Sequence, residues 1–317
     1  MAETQKVVIV GSGSAGYTAA IYAARANLKP VLFSGIMKGG QLMITTDVEN
    51  YPGFPEPVMG PELMERMEKQ VRRLGVEIVQ ENVSKLDLSK RPFAVESTEG
   101  RKILAETVIL ATGADAKWLG IESEKKLMGK GVSACATCDG FFFKGKEIVL
   151  VGGGDTAMEE ANFLTNFATK VSVLHRRESL RASKIMQDRV KKNPKIRFVW
   201  NTVVEEILGT DVVTGVRVKN VKTNAVSEIP CRGFFVAIGH KPNSDLVKGQ
   251  LDLDDAGYVI ADDRCRTKIP GVFAAGDLMD TRYRQAVTAA GAGCKAALEA
   301  ERFLAEHESA PQKAEAA

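Results

Sequence analysis

The chain alternates short apolar runs with glycine turns and amphipathic stretches. Residues 7–10 (VVIV) are a continuous β-branched run, the pattern of a parallel strand buried on both faces. The run leads into Gly11-Ser-Gly-Ser-Ala-Gly16, then a helical stretch over 17–26 and a second apolar run over 30–33, which together predict one βαβ unit. A Gly- and Pro-rich segment, 35–61, has no regular period, and structureless segments of that length in compact domains tend to be functional. A helix over 61–74, a strand over 76–79 and a buried strand over 107–114 follow.

The same grammar then recurs. Residues 147–151 predict a strand, Gly152 to Ala157 a second glycine turn, 158–168 a helix and 170–174 a strand. Short strands follow each unit, at 85–104 and 203–228, and 233–239 (GFFVAIG) mirrors 107–113 (TVILATG). After Asn243 the pattern returns to the first unit, with a strand ending at Gly276-Asp277 and an Ala-rich helix over 284–305. This duplication predicts an α/β fold of two Rossmann-like dinucleotide-binding domains, the second inserted into the first. Residues 1–115 and 246–317 form one domain and 116–245 the other, joined near 114–118 and 240–245. The tail after about Glu306 lacks apolar periodicity and is expected to fray.

Composition narrows the function. A chain of 317 residues with 44% hydrophobic positions can build two cores. A net charge of +3, from 43 basic and 40 acidic residues, gives no footprint for nucleic acid or an anionic membrane. No apolar run approaches the ~18 residues of a membrane span, and Met1 to Lys6 shows no basic-then-apolar leader, so no secretory signal is expected. Five cysteines, an odd and low number, do not make a disulfide scaffold and point to a reducing, cytoplasmic setting.

Gly11, Gly13 and Gly16 stand between a strand and a helix, where backbone approaches a pyrophosphate and free helix N–H groups meet it. Gly152 and Gly154 keep the first two positions in the second unit, with Ala157 at the third. His175-Arg176-Arg177 ends the second strand of that unit, with Arg181 one turn further on; arginine there suits a 2′-phosphate and so NADPH over NADH. The first unit has no carboxylate at the matching place, 32–35, so its ribose contact stays unassigned. Gly276-Asp277 is a separate signal for FAD, an Asp at a strand end being placed to hold the ribityl chain; a plain turn Asp is the other reading.

Cys135-Ala-Thr-Cys138 can close a small disulfide or exchange with another. A structural zinc site needs two more ligands, and neither a second CxxC nor a nearby His supplies them, so no metal is expected. Asp139 opposes thiolate formation if charged. Partly desolvated, it can instead give a proton to a leaving thiolate; a turn Asp before Gly140 is the alternative. Phe141, Phe142 and Phe143 are either core or, where exposed, an apolar docking patch. Cys231, Cys265 and Cys294 read as small core residues.

Taken in order, GSGSAGYTAA, GGQL, VENYPG, ATGA, ACATCDGFF, GGGDTAMEEA, HRR…RA, VAIGHKPN and GVFAAGD…RQAVTAAG resemble the low-molecular-weight, bacterial-type thioredoxin reductases over about residues 6–305. The most specific feature is a CxxC inside the nucleotide unit, just before its glycine turn. The resemblance implies a homodimer with FAD and NADPH domains that acts on thioredoxin. It implies Cys138 as the thiol nearest the flavin, Cys135 as the thiol that attacks thioredoxin, and Asp139 as acid and base. It places FAD against Ser14 and Ala15, the stretch Ser34, Gly35, Gly40 and Gln41, and Asn50. Val83, Ala111, Gly113, Gly276, Asp277, Arg284, Gln285 and Ala286 complete that side. It places NADPH against Gly154, Asp155, Thr156, His175, Arg176, Arg177, Arg181, Ile238 and Gly239. The family turns the inserted domain on its two connections so that nicotinamide and dithiol reach the flavin in turn. This chain departs from the family at Ser14, in place of the common Gly-Pro-Ala, and at Lys130, in place of an Arg. The nearest rival is another flavin reductase or oxidase on the same frame; a non-enzymatic nucleotide- or zinc-binding redox sensor is the other.

Overall fold

The computed structural model describes residues 4–45 and 47–308. They divide into two compact units, Ala116–His240 and the described residues on either side of it. The second crossing falls after His240, at the start of the expected connection 240–245. Asn243 holds 241–245 in the first unit: its N–H donates to the Gly113 carbonyl (2.9 Å) and its side-chain amide to the Thr112 carbonyl (3.1 Å). Its own carbonyl accepts from Thr112 Oγ1 (2.7 Å).

In the first unit, strands Glu77–Val79, Val31–Phe33, Thr4–Val10 and Lys102–Leu110 lie side by side in parallel. Lys102–Leu110 pairs antiparallel with Phe93–Ser97 over its first half and parallel with Val272–Ala274 over its second. Successive strand side chains point to opposite faces, and here both faces are covered. Val7, Ile9, Leu32 and Ile109 bury against Ala19, Ala20 and Ala23 of helix Ser14–Arg25 and Ala296, Ala297 and Ala300 of helix Ala286–Glu308. Val8, Val10, Val31, Phe33, Val108 and Leu110 bury on the other face against Phe93, Val95 and Val259. Small residues let the two helices close up: a Cβ on Gly293 would fall 2.0 Å from the Ala15 carbonyl oxygen. The segment 35–61 is less irregular than its sequence suggests. It holds a 3₁₀ turn, Gly40–Ile44, and a short antiparallel pair, Asp47–Val48 with Val58–Met59, around Val48, Val58 and Leu63.

In the second unit, Val132–Ser133, Gly233–Ala237, Glu147–Gly152, Lys170–His175 and Ile196–Trp200 form a five-stranded parallel sheet. Ile148, Leu150, Val171, Val173 and Phe235 pack on Ala157, Met158, Ala161 and Leu164 of helix Asp155–Leu164. Val149, Leu174, Phe234 and Val236 pack on Ile207, Val216 and Val218 of an antiparallel three-stranded sheet, Thr202–Leu208, Gly215–Asn220 and Val226–Pro230. The sequence signals neither helix Lys184–Lys191 nor strand Ile196–Trp200. The helix buries only Val190 and so has no apolar stripe, and the strand is a half-buried edge. The tail 309–317 lies outside the described residues.

Candidate functional site

Cys135 and Cys138 form a disulfide. Its position follows from strand direction. Val132–Ser133 runs parallel to Gly233–Ala237, itself parallel to Glu147–Gly152. The chain therefore leaves Ser133 for Cys135 at the same sheet edge at which it leaves Gly152 for the glycine turn, the edge where ligands of open parallel sheets bind. Cys135 caps the short helix Ala136–Asp139, and Ala136, 1% exposed, anchors that helix in the core beneath helix Asp155–Leu164. The Cys135 N–H donates to Ser133 Oγ (3.0 Å), and the Cys138 N–H donates to Cys135 Sγ (3.2 Å). Cys138 is exposed and Cys135 half-buried.

Asp139 follows directly, its N–H donating to the Cys135 carbonyl (3.1 Å). Burial raises its carboxyl above the ordinary carboxylate value, and the Ser133 hydroxyl partly offsets that. The three phenylalanines separate. Phe143 packs edge-on against Phe235 with ring centroids 5.3 Å apart, whereas Phe141 and Phe142 are 57% and 44% exposed. The sequence does not single out Ser133, which braces the disulfide loop. Its only sequence signal is a hydroxyl two residues before a cysteine.

The second glycine turn and the basic loop 175–183 are joined. The Gly153 carbonyl accepts from the N–H groups of Arg181 (2.8 Å) and Ala182 (3.0 Å). The His175 ring is buried, each nitrogen 3.0 Å from a carbonyl oxygen, Nδ1 from Gly152 and Nε2 from Ser179. Burial lowers its basicity, with Arg177 and Arg181 adding to that and the two carbonyls opposing it. Arg176, Arg177 and Arg181 are exposed, as is Asp155. Gly154 caps helix Asp155–Leu164 with no side-chain partner, Thr156 lies in its first turn, and Ile238-Gly239 follows the neighbouring strand.

In the first unit, the turn 11–16 is built for close approach. Gly11 has φ +113°, and a Cβ there would fall 2.1 Å from the Ala111 carbonyl oxygen; one on Gly16 would fall 1.9 Å from the Gly11 carbonyl oxygen. At Gly13 a Cβ would meet nothing, so that backbone lies open in front of helix Ser14–Arg25, whose cap has no side-chain bond. Ser12 Oγ donates to the Ser34 carbonyl (2.7 Å) and accepts the Gly39 N–H (2.9 Å), which brings 34–40 beside the turn. Ser12 and Asn82, whose Oδ1 accepts the Ile36 N–H (3.2 Å), are braces with no sequence signal. Gly276 abuts Ala15, and Ala111 hydrogen-bonds to Val10. Asn50 Nδ2 donates to Gln285 Oε1 (3.3 Å) and Gln41 Nε2 to Asp115 Oδ1 (2.7 Å). Val83 pairs with Ser97 at a strand start, Gly113 has φ +70° and Ala286 opens the last helix.

Asp277 is the unusual group. Its Oδ1 is buried with no hydrogen-bond partner. Burial, reinforced by Asp280 and opposed by Arg284, pushes its carboxyl up to about 6. An orphaned acceptor at a strand end beside an open glycine turn fits a dinucleotide with a hydroxyl-bearing chain, as FAD has. Among the described residues no group of three or more His, Cys, Asp and Glu is arranged to hold a metal. No helix among them is long and apolar enough to cross a membrane. Burial pushes the thiols of Cys231 and Cys265 up to about 12 and about 11, so both are unreactive core groups.

The family described as pyridine nucleotide-disulphide oxidoreductase matches residues 5–293. The thioredoxin reductase of Rickettsia felis is 58% identical over 95% of this chain and 98% of its own length. That of Streptomyces coelicolor is 51% identical over 99% of both chains. The solved thioredoxin reductase from Giardia duodenalis is 45% identical, with a TM-score of 0.92 over 96% of this chain and 99% of its own.

Proposed function

We propose, from the premise that the chain belongs to the pyridine nucleotide-disulphide oxidoreductases and among them to the bacterial-type thioredoxin reductases, a role for each part of the two units. The chain is an NADPH-dependent flavoprotein that reduces thioredoxin through a redox-active disulfide. The observation that carries the reading is the Cys135–Cys138 disulfide at the same sheet edge as a glycine turn flanked by three exposed arginines.

The unit of 116–240 takes NADPH, with the turn at 152–157 on the pyrophosphate and Arg176, Arg177 and Arg181 on the 2′-phosphate. The other unit takes FAD, supported by the open turn at 11–16 and the unpartnered Asp277 oxygen. When bound, FAD supplies the two-electron carrier between nicotinamide and disulfide. The chain's own residues do the rest. Cys138 takes the electron pair, the sulfur–sulfur bond opens, and Asp139 gives a proton to the leaving thiolate. Cys135 then attacks the thioredoxin disulfide, a mixed disulfide forms, and Cys138 resolves it. Phe141 and Phe142 provide an apolar surface for the partner beside the dithiol.

A homodimer is supported by exposed apolar side chains on the first unit's helices, Tyr22 and Leu298 among them. A cytoplasmic setting is supported by free Cys231, Cys265 and Cys294 beside a single redox-active pair. The test is anaerobic titration of the yellow protein: NADPH should bleach the flavin, and oxidised thioredoxin should restore its colour. A colourless protein, or a flavin that thioredoxin leaves reduced, refutes the reading.

A further inference from the structure

We propose that His175 and Asp155 act as positioning residues that clip the basic loop onto the glycine turn and so set selectivity for a 2′-phosphate. The inference rests on the reading of this unit as the NADPH site and deepens it.

The His175 ring is turned inward, with neither nitrogen facing solvent. Both ring nitrogens lie 3.0 Å from the chain's own carbonyl oxygens, and the ring is 7% exposed and edge-on to Trp200. A Cβ on Gly153 would fall 2.2 Å from the imidazole Cε1, so the ring fills the space beneath the turn. Asp155, in the first turn of the following helix, spends its Oδ1 on Ser183, accepting the N–H (2.7 Å) and the hydroxyl (2.9 Å). Between these clips the Gly153 carbonyl takes the Arg181 and Ala182 N–H groups. The loop is thus tied to the turn at its start and its end. The side chains of Arg176, Arg177 and Arg181 stay exposed on the loop so held.

The consequence is energetic. An arginine that binds phosphate loses side-chain freedom, and a mobile backbone beneath it would add to that loss. Clipping the loop removes the backbone part before binding. It also fixes the distance between the arginines and the turn, and so between a 2′-phosphate and the pyrophosphate of one nucleotide.

The experiment uses the FAD-loaded full chain, in which only the second nucleotide site is open. It compares calorimetric affinities for 2′,5′-ADP and 5′-ADP. Asp155→Ala and His175→Ala should each weaken 2′,5′-ADP by about tenfold and leave 5′-ADP within about twofold. Asp155→Asn keeps the Oδ1 acceptor and should recover most of the loss, and Ser183→Ala should fall between. The last two variants carry the test if the alanine variants do not fold. Equal weakening of both ligands would mean that these residues touch the shared part of the nucleotide, and no change in either would mean that the clips do nothing; each overturns the proposal. A wild-type chain that binds both ligands alike would instead remove the 2′-phosphate reading, and the proposal with it.

Discussion

The carbonyl of Cys135 accepts the N–H of Asp139 at 3.1 Å, so the carboxyl-bearing residue is fixed to the backbone of the first cysteine of the pair. Burial holds that carboxyl above its ordinary value. Asp139→Asn should lower thioredoxin turnover by about 10²- to 10³-fold, the usual worth of a positioned acid. NADPH affinity should not change. A raised value means that the neutral acid is favoured in the fold: its stabilisation is complete below the ordinary carboxylate range and fades as pH rises through the raised value. The variant should therefore lose that part of the pH dependence of both turnover and stability. An unaltered rate excludes Asp139 as the proton donor.

Cys135→Ser should leave NADPH reduction of the flavin intact and cut thioredoxin turnover at least about a thousandfold. Rapid-mixing spectra measure the first and a coupled assay the second. Persisting turnover would reassign the attacking thiol.

Arg176 and Arg177 are exposed at the end of strand Lys170–His175. Changing both to Ala should raise the KM for NADPH by about ten- to a hundredfold, because charge-assisted phosphate contacts are lost, and the KM for NADH by less than about twofold. Parallel changes in the two constants would argue against a 2′-phosphate site.

Asp277 predicts a pH effect of definite sign. Its carboxyl is pushed up to about 6 from 3.8, chiefly by burial. Its stabilisation of the flavin-free chain is complete below the lower value and lost as pH rises through the upper one, a change of about 3 kcal/mol. Urea unfolding of deflavinated protein between about pH 4 and about pH 7 measures it, and Asp277→Asn should flatten that difference. Flavin affinity should move the opposite way, rising with pH, because the ionised oxygen is the better acceptor for a hydroxyl.

Neighbouring phenylalanines should behave differently. Phe143→Ala empties a contact with Phe235 and should cost about 2–4 kcal/mol of stability. Phe142→Ala removes an exposed ring; stability should shift by less than about 0.5 kcal/mol while the KM for thioredoxin rises. Denaturant titration and steady-state kinetics separate the two.

The parts of this protein that sequence made visible are those governed by short-range rules. The run Val7 to Val10 announced a strand covered on both faces, and the faces are filled as that run requires. Gly11 and Gly16 announced a glycine turn between strand and helix, and a Cβ at either would strike backbone. The Cys135–Cys138 spacing allowed a disulfide, and one is present. Helix Lys184–Lys191 carries no periodic signal because it buries one side chain.

Chemistry local to a few residues was thus decided by sequence: two glycine turns, an inserted second unit, a vicinal cysteine pair and a cluster of arginines. Partnerships between distant residues were decided by tertiary structure alone. Nothing in the order of residues says that Asp155 would take the hydrogen bonds of Ser183, that Asn243 would stitch 241–245 to the first unit, or that Asp277 would keep an unpartnered oxygen. Which of three adjacent phenylalanines faces solvent was also settled only by folding. The physical reason is the same in each case. Periodicity and turn chemistry act over a few bonds, whereas burial and hydrogen-bond partnership depend on which surfaces the completed chain brings into contact.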